Sequence, residues 1–272
     1  MKLSVIVDTY EWPEALQAVL LGLAEQSDPD FDVVVADDGS GVETQQVAEA
    51  WKAHLRLTHV RQADDGYRLA RVRNLGARAA QGDYLVFMNS DTVPRRGFVR
   101  AMRSAALPGW FLAGKRLQLS HELTGRALTD RLPIHRWSLP HWALHHEHVT
   151  QLLALTPRDR RRPWRHELPE FVPHADGYGF LLGVSRADFE RVNGYDARFA
   201  GWGGEDVDMA VRLHRAGLRC SWAGPQSTLL HLWHETRRPP SRPNDALLAE
   251  TQATGRVEAL EGLRELDAGA AV

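Results

Sequence analysis

The chain has 272 residues, 43% of them hydrophobic and 25% charged, which suits one large soluble unit with a sizeable core. A formal net charge of -2 offers no global field for nucleic acid, and a single cysteine, Cys220, excludes an internal disulfide framework and fits a reducing compartment. No stretch reaches the roughly 18–20 apolar residues of a membrane span, and Leu3–Val7 is too short for a secretory signal core. A cytoplasmic protein is expected, able at most to rest on the inner face of a membrane.

Leu3–Val7 is a continuous apolar run, as in a parallel strand covered on both faces. Pro13 then opens a stretch in which Ala15, Leu16, Val19, Leu20 and Leu23 recur at helical spacing. Asp32–Ala36 reads as a second strand that stops at Asp37-Asp38-Gly39-Ser40. A helix over Thr44–Leu55 and a short strand over Leu57–Arg61 follow. Leu69–Ala80 is helical, and Gly82 separates it from a strand over Asp83–Met88. That strand ends at Asn89-Ser90-Asp91, with a helix starting near Pro94. Strands alternating with helices predict an α/β fold, a Rossmann-like, mostly parallel sheet flanked by helices. Ligands of such sheets bind at the carboxyl ends of the strands, so the two acidic strand ends should share one crevice.

From about Gly114 to Pro173 the periodicity weakens, and the chain becomes rich in His, Arg, Trp and Pro, as in Arg158–His166. Order returns with a strand over Gly179–Val184, a short helix over Arg186–Arg191 and a turn at Asn193-Gly194. Glu205–Arg215 reads as a helix closed by Gly217, and Asn244 is expected to cap a last amphipathic helix reaching about Leu266. The chain reads as one fused unit, with a nucleotide-binding half at 1–113 and an acceptor half at 114–272.

Five segments carry chemistry. In Asp37-Asp38-Gly39-Ser40 a carboxylate at a strand end can accept from a base N–H or from ribose hydroxyls, while the glycine lets the backbone pass close to a ligand. An ordinary turn uses the same residues. In Asn89-Ser90-Asp91 the carboxylate suits a hard divalent cation bridging a diphosphate, although an Asp capping the next helix looks the same. Between them, Arg68 and Arg71 share a helix face, with Arg73 beyond, and guanidinium forks suit a diphosphate; a solvated basic face paired with Asp64 and Asp65 is the alternative. In Gly201-Trp202-Gly203-Gly204-Glu205-Asp206 the glycines allow close approach, Trp202 offers a flat face for a sugar ring, and a carboxylate can serve as general base. Acids opening a helix are also favoured by its dipole. Downstream, His231 and His234, three apart, can serve one metal, and nitrogen beside a carboxylate suits Mn²⁺ better than Mg²⁺.

Taken together, these residues resemble inverting glycosyltransferases of family 2 with the GT-A fold, over Leu3 to about Gly97 and again over about Asp176–His234. The resemblance implies that Asp37 and Asp38 form the nucleoside-binding turn, with Thr9 contacting the nucleoside and Asn89, Ser90, Arg68, Arg71 and Arg73 around the donor. Asp91 then corresponds to the metal carboxylate of an Asp-x-Asp site, with His231 and His234 supplying further ligands. Gly201–Asp208 is similar to a segment of β-1,4-galactosyltransferases and chondroitin polymerases; by that match Asp206 is the base, Glu205 supports acceptor or donor, and Trp202 and Gly203 meet the acceptor. The implied partners are a nucleotide-sugar donor, UDP-linked by default, and a glycan or lipid-linked glycan acceptor, in the synthesis of bacterial-type surface polysaccharide or glycoconjugate. Three departures stand out. Asp8 lies where many relatives have Pro, Glu11 where many have Asn, and Asn89 removes one charge from the metal motif. Two rival readings stay open at this point. A nucleotidyltransferase would bring a Gly-rich, Lys-bearing phosphate loop that Val5–Trp12 lacks, and a non-catalytic sugar binder would not need both Asp91 and Asp206.

Overall fold

The structure, a computed structural model, describes residues 1–138, 141–142, 180–235 and 244–266. The elements run β1 (Leu3–Thr9), α1 (Pro13–Ala24), β2 (Phe31–Asp37), α2 (Val42–Trp51), β3 (Leu57–Arg61), α3 (Leu69–Ala79) and β4 (Tyr84–Asn89). After them come β5 (Thr92–Pro94), α4 (Phe98–Ala105), β6 (Trp110–Ala113), β7 (Arg116–Gln118) and α5 (His121–Thr129). The later described residues add β8 (Leu181–Ser185), α6 (Arg186–Arg191), α7 (Glu205–Arg215), β9 (Arg219–Ser221), β10 (Leu229–His231) and α8 (Asp245–Thr254).

Seven strands form one sheet in the order β3-β2-β1-β4-β8-β6-β9, with β3, β2, β1 and β4 parallel and β8 antiparallel to both its neighbours. Alternation explains the continuous apolar runs. Val5, Val7, Val33, Val35, Val86 and Met88 face one core, which α1 and α4 cover, while Ile6, Val34, Leu85 and Phe87 face a second core shared with α3 and α7. Both faces are buried, so each strand needs apolar residues at every position. The expected mostly parallel, helix-flanked sheet is therefore present.

Several expectations need correction. The helix after Asn89-Ser90-Asp91 starts at Phe98 rather than Pro94, because Thr92–Pro94 is a strand pairing antiparallel with β10. A proline is tolerated there at the end of a short strand, where its missing N–H costs little. The weakly periodic region from Gly114 contains β7 and α5, whose elements are too short to show a period. Asn244 does precede a helix, but its side chain does not cap it; its Nδ2 donates instead to the carbonyls of Gly203 (2.7 Å) and Gly201 (3.3 Å). That helix stops at Thr254, with Gly255 left-handed, instead of continuing to Leu266. The apolar residues beyond belong to an irregular strap. It is fastened by Ala259 N to Val192 O at 3.0 Å and Leu263 N to Asn193 O at 2.9 Å. The basic stretch Arg158–His166 lies outside the described residues.

A three-stranded sheet, β5-β10-β7, sits beside the main one. Its register places His231 opposite Thr92, and Leu232 N donates to Asp91 O at 2.8 Å. This small sheet brings residues from late in the chain to the end of β4.

Candidate active site

The carboxyl ends of β1, β2 and β4 are in register, with Thr9 beside Asp37 and Asp8 beside Asn89. At the β2 end, Asp37 is fully buried and committed to its own turn. Its Oδ1 accepts from the N–H groups of Gly39 (3.1 Å) and Ser40 (2.7 Å), and its Oδ2 lies 3.1 Å from His59 Nε2. Burial works against its charge, but His59 and Ser40 outweigh that and hold the carboxyl below its ordinary range. Gly39 takes φ 100°, and a Cβ there would come within 2.5 Å of the Asp64 backbone, so the glycine is required by the turn. Asp38 accepts from Arg68 N at 2.8 Å and from Gln62 Nε2, and burial raises its carboxyl. Thr9 contributes a buried Oγ1 with no hydrogen-bond partner among the described residues.

Of the three arginines on α3 and its N-terminal edge, two are half-buried and one goes inward. Arg68 reaches Ala63 O at 2.6 Å and Asp65 at 3.2 Å, and Arg71 donates to Gln62 Oε1 at 2.7 Å. Arg73 is 1% exposed. Its Nε donates to Asp8 Oδ2 (2.9 Å), Nη2 to Asn89 Oδ1 (2.9 Å) and Nη1 to Asp206 Oδ1 (2.6 Å), and its guanidinium lies 5.2 Å from the Tyr195 ring centroid. Burial raises Asp8 from 3.8 to about 6; Arg73 opposes the shift, whereas Asp91 and Asp206 add to it.

Asp206 belongs to the first turn of α7. Gly201, Gly203 and Gly204 in the preceding loop all take positive φ, and Gly204, the residue before the helix, has φ 95°. Gly201 N donates to Tyr67 O at 2.7 Å, which ties this loop to the segment before α3. Trp202 is 38% exposed and Tyr67 is 42% exposed. The three acids of the turn have distinct surroundings. Asp208 is buried against Arg212 (2.7 Å) and Thr251 Oγ1 (2.7 Å), and Asp206 is partly open and held by Arg73. Glu205 is buried with Oε2 unpartnered, and burial followed by the Asp206 charge pushes its carboxyl well up. Near neutral pH Glu205 is therefore a proton-bearing group beside the Asp206 carboxyl.

Asp91, His231 and His234 form the second cluster. Both Nε2 atoms lie 3.3 Å from Asp91 Oδ2, and the three candidate ligand atoms all fall within 4.8 Å of one another. Asp91 Oδ1 and His231 Nδ1 are buried without partners. Burial alone would raise the Asp91 carboxyl, but the two imidazoles outweigh it and hold it far below its ordinary range; the same contact raises His234. One carboxylate and two imidazoles with orphaned polar atoms fit a divalent metal cation. Ser90 sits between the clusters, its N–H donating to Asp8 O at 2.9 Å.

Sequence reasoning passed over Asp8 except as a departure, and gave no role to Tyr67, Gln62 or Tyr195. Tyr67 lies within the segment that holds the arginines, so its neighbourhood was the only available signal. Tyr195 gave none, because the residues it meets, Asn74 and Arg73, come from a distant element, and Gln62 follows a short strand in no recognisable motif.

The family model for glycosyl transferase family 2 matches residues 4–149, more than half of the chain. A second, described as the N-terminal domain of galactosyltransferase, matches residues 165–235. The chain is 32% identical over 236 residues to validoxylamine A glucosyltransferase of Streptomyces hygroscopicus subsp. jinggangensis, covering 79% of this chain and 52% of that one. It is 26% identical to chondroitin synthase of Escherichia coli over 89% of this chain and 36% of the relative. The chain thus spans about half the length, or less, of these relatives. Among solved structures, S. aureus TarS 1-349 in complex with UDP-GlcNAc superposes with TM-score 0.60 at 18% identity, covering 92% of this chain and 64% of TarS. The mannosyltransferase PcManGT from Pyrobaculum calidifontis, in complex with GDP-Man and Mn²⁺, gives 0.56 at 19% identity over 93% of this chain and 69% of that one.

Proposed function

The chain belongs to glycosyl transferase family 2 and has the GT-A fold, and from that premise we propose an inverting transferase that moves a sugar from a nucleotide-diphosphate donor to a hydroxyl of a glycan acceptor. The observation that carries the reading is the meeting, through one buried guanidinium, of the partly open carboxylate Asp206 with the carboxyl edge of the sheet. Arg73 thereby joins the candidate base to the carboxyl ends of β1 and β4.

The donor nucleoside would lie against Thr9 and Asp38, with Asp37 shaping the turn beneath it. Arg68 and Arg71 stand on the diphosphate side, with Ser90 at the strand end. Trp202, with Gly203 beside it, would stack on a sugar ring of the acceptor. Asp206 takes the proton of the acceptor hydroxyl as its oxygen bonds to the anomeric carbon. The bond from that carbon to the diphosphate breaks on the opposite face, and the nucleoside diphosphate leaves with the electron pair. One displacement with one base and no protein nucleophile inverts the anomeric centre. Glu205, bearing its proton, can donate a hydrogen bond to a hydroxyl of donor or acceptor. A cation held by Asp91, His231 and His234, Mn²⁺ in preference to Mg²⁺, would neutralise charge on the departing diphosphate. UDP is the favoured nucleotide, supported by the UDP-GlcNAc held by TarS, although PcManGT holds GDP-Man. The acceptor class, glycan or lipid-linked glycan, rests on family likeness. Among the described residues no helix is long and apolar enough to cross a membrane.

A thermal-shift panel of nucleotide sugars with and without Mn²⁺ tests the reading, and release of the nucleoside diphosphate follows turnover. Asp206→Asn should lower kcat by about 10²–10⁴-fold while leaving donor binding nearly unchanged. Loss of donor binding in that variant would give Asp206 a structural role instead.

A further inference from the structure

His231 and His234 are held in different ways. His231 closes β10, opposite Thr92 on one side and Gln118 on the other, and is 6% exposed. His234 lies past the end of that strand, with 38% of its side chain open. Its Nε2 faces Asp91, and its Nδ1 lies 3.3 Å from the carbonyl of Glu235, the next residue in the chain. A contact with a chain neighbour does little to fix the ring against the rest of the molecule. Trp12 supplies that reference, its ring centroid 5.9 Å from that of His234 and the planes at 79°, an edge-to-face pair.

Trp12 occupies the position just before α1, where Ser, Thr, Asp or Asn would satisfy a first-turn N–H. It makes no side-chain cap, and Pro13 at the next position removes one of the N–H groups that need one. The helix itself therefore gains nothing from an indole there. The indole packs on the core that α1 and α4 cover, and the residue before it is firmly held. Glu11 takes φ 47°, uncommon for a residue with a side chain. Its N–H donates to Ser40 Oγ at 3.0 Å, and its Oε1 accepts from Gly41 N at 2.7 Å. The turn after β1 is thus fastened to the turn after β2 and carries Trp12 to the His234 ring.

We propose that Trp12 is the positioning residue for His234, holding the imidazole where its Nε2 can share a divalent cation with Asp91 and His231; this rests on the reading of His234 as a cation ligand. A ligand already held in place loses less freedom when the ion arrives. Two consecutive residues, Glu11 and Trp12, then join the cation cluster to the Asp37–Ser40 turn.

The test compares Trp12→Phe, which keeps an aromatic ring, with Trp12→Leu, which keeps apolar packing alone, each also combined with His234→Ala. Mn²⁺ alone is the probe, titrated against the metal-free protein by electron paramagnetic resonance of the free ion, with melting temperatures recorded without metal. Trp12→Leu should weaken Mn²⁺ binding about tenfold, the lower end of what a group behind a metal ligand contributes. Trp12→Phe should stay within about threefold of the parent, since an edge-to-face contact survives. In the His234→Ala background the Phe and Leu variants should bind alike. On the metal-free proteins, the imidazole nitrogen resonances of His234 should move in Trp12→Leu while those of His231 stay in place. A Trp12→Leu effect of equal size with and without His234 would overturn the proposal, because Trp12 would then serve the fold alone. So would a parent that binds Mn²⁺ while His234 resonances and affinity are untouched by Trp12→Leu. A parent that takes up no Mn²⁺ would instead defeat the cation reading, and the assignment of Trp12 would fall with it.

Discussion

At the scale of single residues, Glu205 shows how an environment divides two adjacent carboxylates. Burial and the Asp206 charge raise its carboxyl above the ordinary value of 4.5. A group raised on folding contributes its full stability below the unfolded value and loses it as pH climbs through the folded one. Asp8, raised from 3.8 to about 6, acts in the same direction over that lower window. Stability should therefore fall between about pH 5 and about pH 8, and Glu205→Gln, which cannot ionise, should flatten that decline. Calorimetric melting at the two pH values checks this; an unchanged slope would mean that Glu205 is already ionised. Asp91 makes a different prediction. Asp91→Ala removes the only carboxylate of its cluster among the described residues, so any stabilisation by added Mn²⁺, about 2.7 kcal/mol at a hundredfold excess over Kd if the proposed site binds it, should vanish. An undiminished shift would place the cation elsewhere.

At the scale of elements, the loop before α7 determines where Asp206 points. Gly204 takes φ 95°, and a Cβ there would meet the Phe199 ring at 3.0 Å and Asn244 Cβ at 3.3 Å. Gly204→Ala should cost about 1–3 kcal/mol in a urea titration and lower kcat beyond what the stability loss explains. A variant of full stability and activity would show that the loop is free to readjust. This loop was legible in the sequence because glycines next to an aromatic and two acids form an unusual local pattern. β3, α6 and α7 fall on Leu57–Arg61, Arg186–Arg191 and Glu205–Arg215 as expected, since each is framed by its own turn residues. What escaped is non-local. β5 and β10 have three residues each and are held by pairing with each other and, for β10, with β7, so no period announces them. The strap after Gly255 keeps helical apolar spacing, yet its backbone is claimed by Val192 and Asn193. The resemblance implies Arg73 at the donor; that its guanidinium is buried between Asp8, Asn89 and Asp206 is visible only in the fold, because those partners come from β1, β4 and α7.

At the scale of the whole molecule, the C-terminal strap and α8 are bound to the second core by a charged network. Asp208 and Arg212 are both fully buried, and Arg212 Nη1 also donates to Val192 O (2.9 Å) and Gly194 O (2.8 Å). Thr251 and Arg256 link the same carboxylate to α8 and to Asp196. Removing one member of a buried pair leaves an uncompensated charge, so Asp208→Ala should cost about 3–5 kcal/mol in urea unfolding. A loss below about 1 kcal/mol would show that water replaces the contact.

The small sheet β5-β10-β7 also sets an order in time. Asp91 leaves the ribosome well over a hundred residues before His231, which reaches it only when β10 slots between two strands already made. At typical elongation rates that delay is on the order of ten seconds. A nascent polypeptide can thus complete the β3-β2-β1-β4 ladder while Asp91 still lacks both imidazoles, and any chemistry that needs the three side chains together must wait for translation to pass β10.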